Sequence, residues 1–140
     1  MKSIIKNTTG LAVVKAIGTN VTETIAFEEN LLAPNQTLDG ESKVNILFAQ
    51  WSISGGTSDQ ILITRGGTQV LSLRQNTGEL DMGGNYSYSD SINSLDDIVI
   101  QIVGTGMVYL TLRKQSGFNT FPAIVEDGLY YQVGFNWYNF

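Results

Sequence analysis

The residues with the most chemical potential in this chain are Arg65 beside Gly66 and Gly67, the carboxylates Glu79 and Asp81, and the aromatic side chains of Trp51, Tyr86 and Tyr88. An arginine next to paired glycines has the makings of a phosphate cradle, in which backbone N–H groups and a guanidinium share the oxygens. A phosphate-binding loop of that kind needs a helix after the glycines and a Lys followed by Ser or Thr. The residues that follow here, "TQVLSL", alternate as a strand. The spacing therefore predicts a hairpin in which Arg65 faces Thr68, Ile63 faces Val70, Leu62 faces Leu71 and Ile61 faces Ser72. The two glycines supply the positive φ of a type I′ turn.

Glu79 and Asp81 stand at i and i+2, so on a strand they point the same way about 7 Å apart. Two such acids are the equipment of glycoside hydrolysis, although acidic pairs are also frequent in loops. The stretch from Gln75 to Asp97 carries Glu79, Asp81, Asp90, Asp96 and Asp97 without a basic residue. Its carboxylates lack the spacing of a calcium-binding loop and predict a solvated acidic connection. "GTG" at Gly104 to Gly106 has two glycines of a dinucleotide fingerprint, but nothing helical follows, and the reading is a three-residue hairpin turn. Trp51, Trp137, Tyr86 and Tyr88 are candidates for stacking on sugar rings beside Asp81 or Asp90, which makes a carbohydrate-binding module the alternative function.

Histidine and cysteine are both absent from the 140 residues. With them go the commonest general base, the commonest transition-metal ligand and every disulfide. The expectation is a protein that is not an enzyme, with no catalytic residue, no cofactor and no metal.

Period-2 alternation rich in Val, Ile, Thr and aromatics recurs along the chain, and no window keeps helical spacing for three turns. The expected fold is all-β, an antiparallel β-sandwich of jelly-roll type in residues 1–116, with an aromatic-rich C-terminal arm in 117–140. Expected strands are Ser3–Asn7, Leu11–Ile17, Val21–Phe27, Val44–Ser54, Gln60–Arg65, Thr68–Leu73, Ile98–Val103 and Met107–Arg113. Glu28–Lys43 and Gln75–Asp97 read as loops, with a short helical turn at Glu28–Leu32 or Ser91–Asp96. Two strands read as apolar on both faces. In the hairpin, Ile61, Ile63 and Val70 oppose Leu62, Leu71 and Leu73; in "VNILFAQWSIS", Leu47, Ala49, Trp51 and Ile53 oppose Val44, Ile46 and Phe48. On the last strand Val108, Leu110 and Leu112 point inward, with Tyr109, Thr111 and Arg113 outward.

Charged residues make up 15% of the chain, against about 25% in ordinary soluble domains, and the net charge is −5. The eight Lys and Arg are scattered, so a direct nucleic-acid partner is not expected. Apolar runs stay far short of a membrane span, and no signal-peptide core is legible, so the expectation is a protein made and kept in the cytosol unless an assembly carries it out.

Composition changes at Gly117: eight of the fourteen aromatics fall in the last 24 residues, with Glu126 and Asp127 the sole charges there. A segment this apolar is expected to dock, either as a last strand on its own domain or on a neighbouring subunit. Phe118, Phe121, Tyr130, Tyr131, Phe135, Trp137 and Tyr138 are the candidate interface residues.

The order "RGGTQVLSL", "GELDMGG" and "DDIVIQIVGTGMVYLTLRK", across Val44 to Lys114, resembles small β-rich virion proteins of tailed phages, in particular capsid decoration or cement proteins of cyanobacterial and marine phages. The Gly117–Phe140 segment departs from the shorter ending of that pattern. The resemblance implies a non-enzymatic virion protein that acts in many copies. Its implied partners are itself, as a homo-oligomer such as a trimer, and a major capsid or other virion protein.

Overall fold

The computed structural model describes residues 1–54, 56, 58–74, 76–81, 88, 89 and 96–120, with the backbone alone at 40, 41, 88 and 89. The elements are β1 (Lys2–Asn7), β2 (Leu11–Ile25), α1 (Phe27–Asn30), β3 (Gln36–Ile53), β4 (Gln60–Arg65), β5 (Thr68–Leu73), β6 (Thr77–Asp81), β7 (Tyr88–Ser89) and β8 (Ile98–Thr120). All eight strands join one open antiparallel sheet. Its main path runs β1-β2-β8-β3-β6, β4 and β5 extend from the first part of β8, and β7 pairs with β3.

Two very long strands organise the sheet. β2 pairs with β8 from Leu11↔Arg113 to Ile25↔Ile98. The other edge of β8 takes β4 along Ile98–Val103 and β3 from Gly106 onward. The sheet thus has two halves that share β2 and β8. Between them both strands bend together: Gly18 lies opposite Gly106, Thr19 opposite Thr105, and the register slips before Val21. Gly104 at φ 89° and Asn20 at φ 49° carry the bend, and Asn20 Oδ1 accepts the Gly104 N–H at 2.8 Å. The Thr19 and Thr105 hydroxyls close it at 2.8 Å. The expected "GTG" hairpin is therefore corrected to a corner inside one continuous strand. The separate strands expected at 11–17 and 21–27 likewise merge into β2. Glycine here lets the backbone turn in place while its neighbour turns with it, so pairing survives the bend.

Half of the expected Glu28–Lys43 loop is strand, because β3 begins at Gln36 and pairs with the far end of β8, Gln36↔Thr120 to Leu38↔Phe118. The other half holds α1, a single turn whose Phe27 is buried and whose Asn30 Oδ1 accepts the Ala26 N–H at 2.9 Å. β8 runs on to Thr120, so the boundary expected at residue 116 falls inside a strand.

One hydrophobic cluster draws on both halves: Val14, Ala49, Val108, Leu110 and Leu112 from one, Ile61, Ile63, Ile98, Ile100 and Ile102 from the other. The predicted inward set of Val108, Leu110 and Leu112 is fully buried. The two apparently two-sided strands are corrected by β-bulges. In the hairpin the turn pairs Arg65 with Thr68 as expected, with Gly66 at φ 57° and Gly67 at φ 79°. Val70 is then skipped, so Ile63 faces Leu71 and Ile61 faces Leu73. In β3 Leu47 is skipped between Ile46↔Leu112 and Phe48↔Thr111. Each extra residue reverses the alternation. Ile61, Ile63, Leu71 and Leu73 all face the core, and so do Val44, Ile46, Ala49 and Ile53.

Candidate functional site

The outward side of the first half presents side chains in rows across the strands. Lys15 of β2, Tyr109 of β8, Gln50 of β3 and Glu79 of β6 are consecutive register partners, with Ser3 of β1 beyond Lys15. The adjacent row is Lys6, Val13, Thr111, Phe48 and Asp81, and the next on the other side runs Ile17, Met107, Ser52 and Thr77. The bulge at Leu47 is what turns Phe48 and Gln50 to this side. Tyr109, Met107, Phe48 and Val13 are half-buried and Ile17 is exposed, so the middle of the face is apolar or neutral.

Charge is segregated on this face. Lys6, Lys15 and Arg113 lie on β1, β2 and β8, whereas Glu79 and Asp81 lie on β6. Lys15 Nζ sits 5.5 Å from the centroid of the Tyr109 ring, a cation–π contact. Between β8 and β6 a trough of about 340 Å³ opens over Gln50 and Ser52, walled by Met107 and Tyr109 on one side and Thr77 and Glu79 on the other. Glu79 and Asp81 share the side of β6 that the sequence predicts, both exposed.

A second concavity, of about 660 Å³, lies beside α1, with Phe27, Leu32 and Leu38 forming its apolar part and Glu28, Glu29 and Asp97 its acidic rim. Phe118 reaches this region from β8. Its ring meets Phe27 at 5.9 Å and 47°, and Lys114 Nζ lies 5.3 Å from it. The one candidate interface aromatic whose side chain is described thus packs half-buried on its own fold. Phe121, Tyr130, Tyr131, Phe135, Trp137 and Tyr138 lie outside the described residues, as do Tyr86 and Asp90. Of Tyr88 the backbone shows only its pairing with Ile46.

Trp51 packs against the core cluster and lies across its register partner Gly78, where an added methyl would stand 2.5 Å from indole Cζ2. Glycine at 78 makes room for the indole.

Two buried cations were not legible as such. Arg65 is 2% exposed; its guanidinium donates to Val44 O at 2.7 Å and Asp96 O at 3.2 Å and stacks 5.4 Å from Phe27. It ties the end of β4 to β3, and its burial takes it away from any ligand phosphate. Lys114 is 8% exposed and donates to Asn7 Oδ1 at 2.6 Å, Thr8 O at 2.7 Å and Gln36 Oε1 at 2.8 Å. Three acceptors match its three N–H bonds. Burial pulls its pKa down from 10.5 to about 8. The signal in the sequence is the alternation itself, since Lys114 continues the inward series Val108, Leu110, Leu112.

Among the described residues no three His, Cys, Asp or Glu side chains gather as a metal site, and no helix is long and apolar enough to cross a membrane. No protein-family profile matches the chain, and no curated protein is similar to it. In the rows of Tyr109 and Thr111 the middle of the outer face is apolar or neutral, with Lys15 and Lys6 toward β1 and β2 and Glu79 and Asp81 on β6, while Arg113 stands on the central β8 one row beyond.

Proposed function

We propose that this protein is a non-enzymatic structural module that works by associating with copies of itself and with another protein. Its setting in this reading is the virion of a tailed phage, as capsid decoration or cement. In this reading the bent sheet plays the part of the expected sandwich, and the aromatic-rich arm of residues 117–140 is proposed to add further contact area.

The observation that carries the reading is the outer face of β2, β8, β3 and β6, where half-buried Tyr109, Met107, Phe48 and Val13 occupy the centre and unlike charges the margins. A largely apolar or neutral centre between charged margins is the composition that a contact surface uses, which supports the reading. Sedimentation of the purified chain over a concentration series tests it. Reversible self-association supports the reading, and a monomer at every concentration counts against it. A carbohydrate-binding reading draws on the trough beside Tyr109 and Glu79, and a glycan array that shows binding lost in Tyr109→Ala would favour it.

A further inference from the structure

We infer that a second copy of this chain packs face to face on the outer face of β1-β2-β8-β3-β6, related by a two-fold axis that lies between the sheets and runs along the strands. The inference deepens the self-association reading and rests on it. Its basis is the order of charges along the rows. In one row Lys15 and Glu79 bracket Tyr109 and Gln50; in the next Lys6 and Asp81 bracket Val13, Thr111 and Phe48. Both rows have the base at the β1-β2 end and the acid at β6; Arg113, on the central β8, belongs to the next row, where its register partner Asn45 is buried and the face is no longer open.

Two sheets stacked by a two-fold axis have two simple choices. With the axis along the strands, rotation reverses the order of strands and keeps each position along them, so a row lies over its own copy end for end. The β1-β2 side of one chain then covers the β6 side of the other, and base meets acid at both margins. With the axis across the strands, β2 covers β2 and β6 covers β6, so like charges oppose at both margins. Electrostatics selects the first arrangement. Both arrangements keep the strands of the two sheets aligned, as twisted sheets favour, so charge alone chooses between them.

Shape agrees with charge. The trough over Gln50 and Ser52, walled by Tyr109 and Glu79, holds about 340 Å³. Strand reversal brings the partner's β2 over this strip, and Lys15 is the long side chain that β2 presents in the same row. In the isolated chain Lys15 rests on Tyr109 at 5.5 Å; in the pair its ammonium reaches Glu79 of the other copy while its aliphatic stem lies in the trough. Five strands about 4.8 Å apart and some 20 Å of strand length give a face on the order of 500 Å². Two such faces bury roughly 1,000 Å², the lower bound for a specific contact. An acid–base pair repeated by symmetry is therefore able to decide the geometry.

The test is a charge reversal followed by sedimentation velocity on the full chain: wild type, Lys15→Glu, Glu79→Lys and the double variant. Circular dichroism checks that all four fold alike, as expected for substitutions on a solvent-facing side. Each single reversal sets like charges against each other at both symmetry-related positions and weakens association on the order of tenfold or more. The double variant restores the pairs in reverse and returns to within about threefold of wild type. Self-association that persists unchanged in the single variants, or a double variant no better than the singles, overturns the proposed geometry and leaves the self-association reading standing. A wild-type chain that stays monomeric overturns both.

Discussion

Lys114 offers the sharpest test of how this fold handles polarity. Its ammonium is buried among Asn7, Thr8 and Gln36, all neutral acceptors, and burial lowers its pKa from 10.5 to about 8. In the unfolded chain the same amine titrates near 10.5. Between pH ~8 and ~10.5 the unfolded state therefore binds more protons than the native state, and stability rises with pH through that window. Below pH ~8 both states are protonated and the cost of burying the charge is fully present; above pH ~10.5 it is gone. At about 1.4 kcal/mol per unit, a fall from 10.5 to about 8 sets an upper bound of roughly 3 kcal/mol, which solvent screening of the ammonium lowers to about 1–3 kcal/mol. The measurement is urea unfolding of wild type and Lys114→Met at several pH values from ~7 to ~11. Taking the difference between the two proteins isolates the contribution of the Lys114 amine. The wild-type curve should gain about 1–3 kcal/mol on the variant across that range. Parallel curves would show that three hydrogen bonds compensate the ammonium fully, and the reasoning from burial would be refuted.

Other outcomes follow from the corner and from the end of β8. Gly104→Ala places a side chain at φ 89° and against the Asp59 carboxylate, so chemical denaturation should show a loss of about 1–3 kcal/mol. Ile100→Ala opens a cavity where the two halves share their core and should cost about 2–5 kcal/mol, again by denaturant titration. A chain ending at Thr120 should keep the β-sheet circular dichroism and melting temperature of the whole while associating less by light scattering. One ending at Ser116 should melt well below it, because it also loses Phe118 from Phe27 and the strand pairing at Leu38, Thr37 and Gln36. Equal melting temperatures for the two truncations would refute that division.

Alternation made the strands legible, but not their continuity or their phase. Val108, Leu110 and Leu112 fall inward as the pattern requires, and the Gly66–Gly67 turn forms between the strands predicted for it. Gly104 to Gly106 misled because glycines that close a hairpin and glycines that bend a long strand look alike until the partner strand is known. The partner is β2, some ninety residues earlier, and its own Gly18–Asn20 irregularity answers the bend. Bulges hid in the same way. Val70 and Leu47 are aliphatic residues in aliphatic runs, and only cross-strand register shows that the ladder skips them. Of the site, Lys15, Tyr109 and Glu79 are thirty to ninety-four residues apart in the chain, and no local pattern marks them as one row.

Those bulges also change where the argument for association comes from. Read without them, the hairpin and β3 carry aliphatics on two faces, and the surplus alone demands a partner. With them, the aliphatics gather on the core side, and Met1, Ile5, Ile17 and Leu80 are the large apolar side chains left exposed among the described residues. Apolar surplus on the described sheet is thus modest, and specificity must come from arrangement. A chain with few charges gives each one more say in how copies meet. Exposed ion pairs within a monomer stabilise it by about 0–1 kcal/mol, so placing Lys6 and Lys15 at one margin and Glu79 and Asp81 at the other costs the fold little. Between two copies the same four residues act in symmetric pairs, favourable for one axis and repulsive for the other. In the proposed pair the outer face would therefore select an orientation more strongly than it drives association, and added salt should blur that selection before it dissolves the contact.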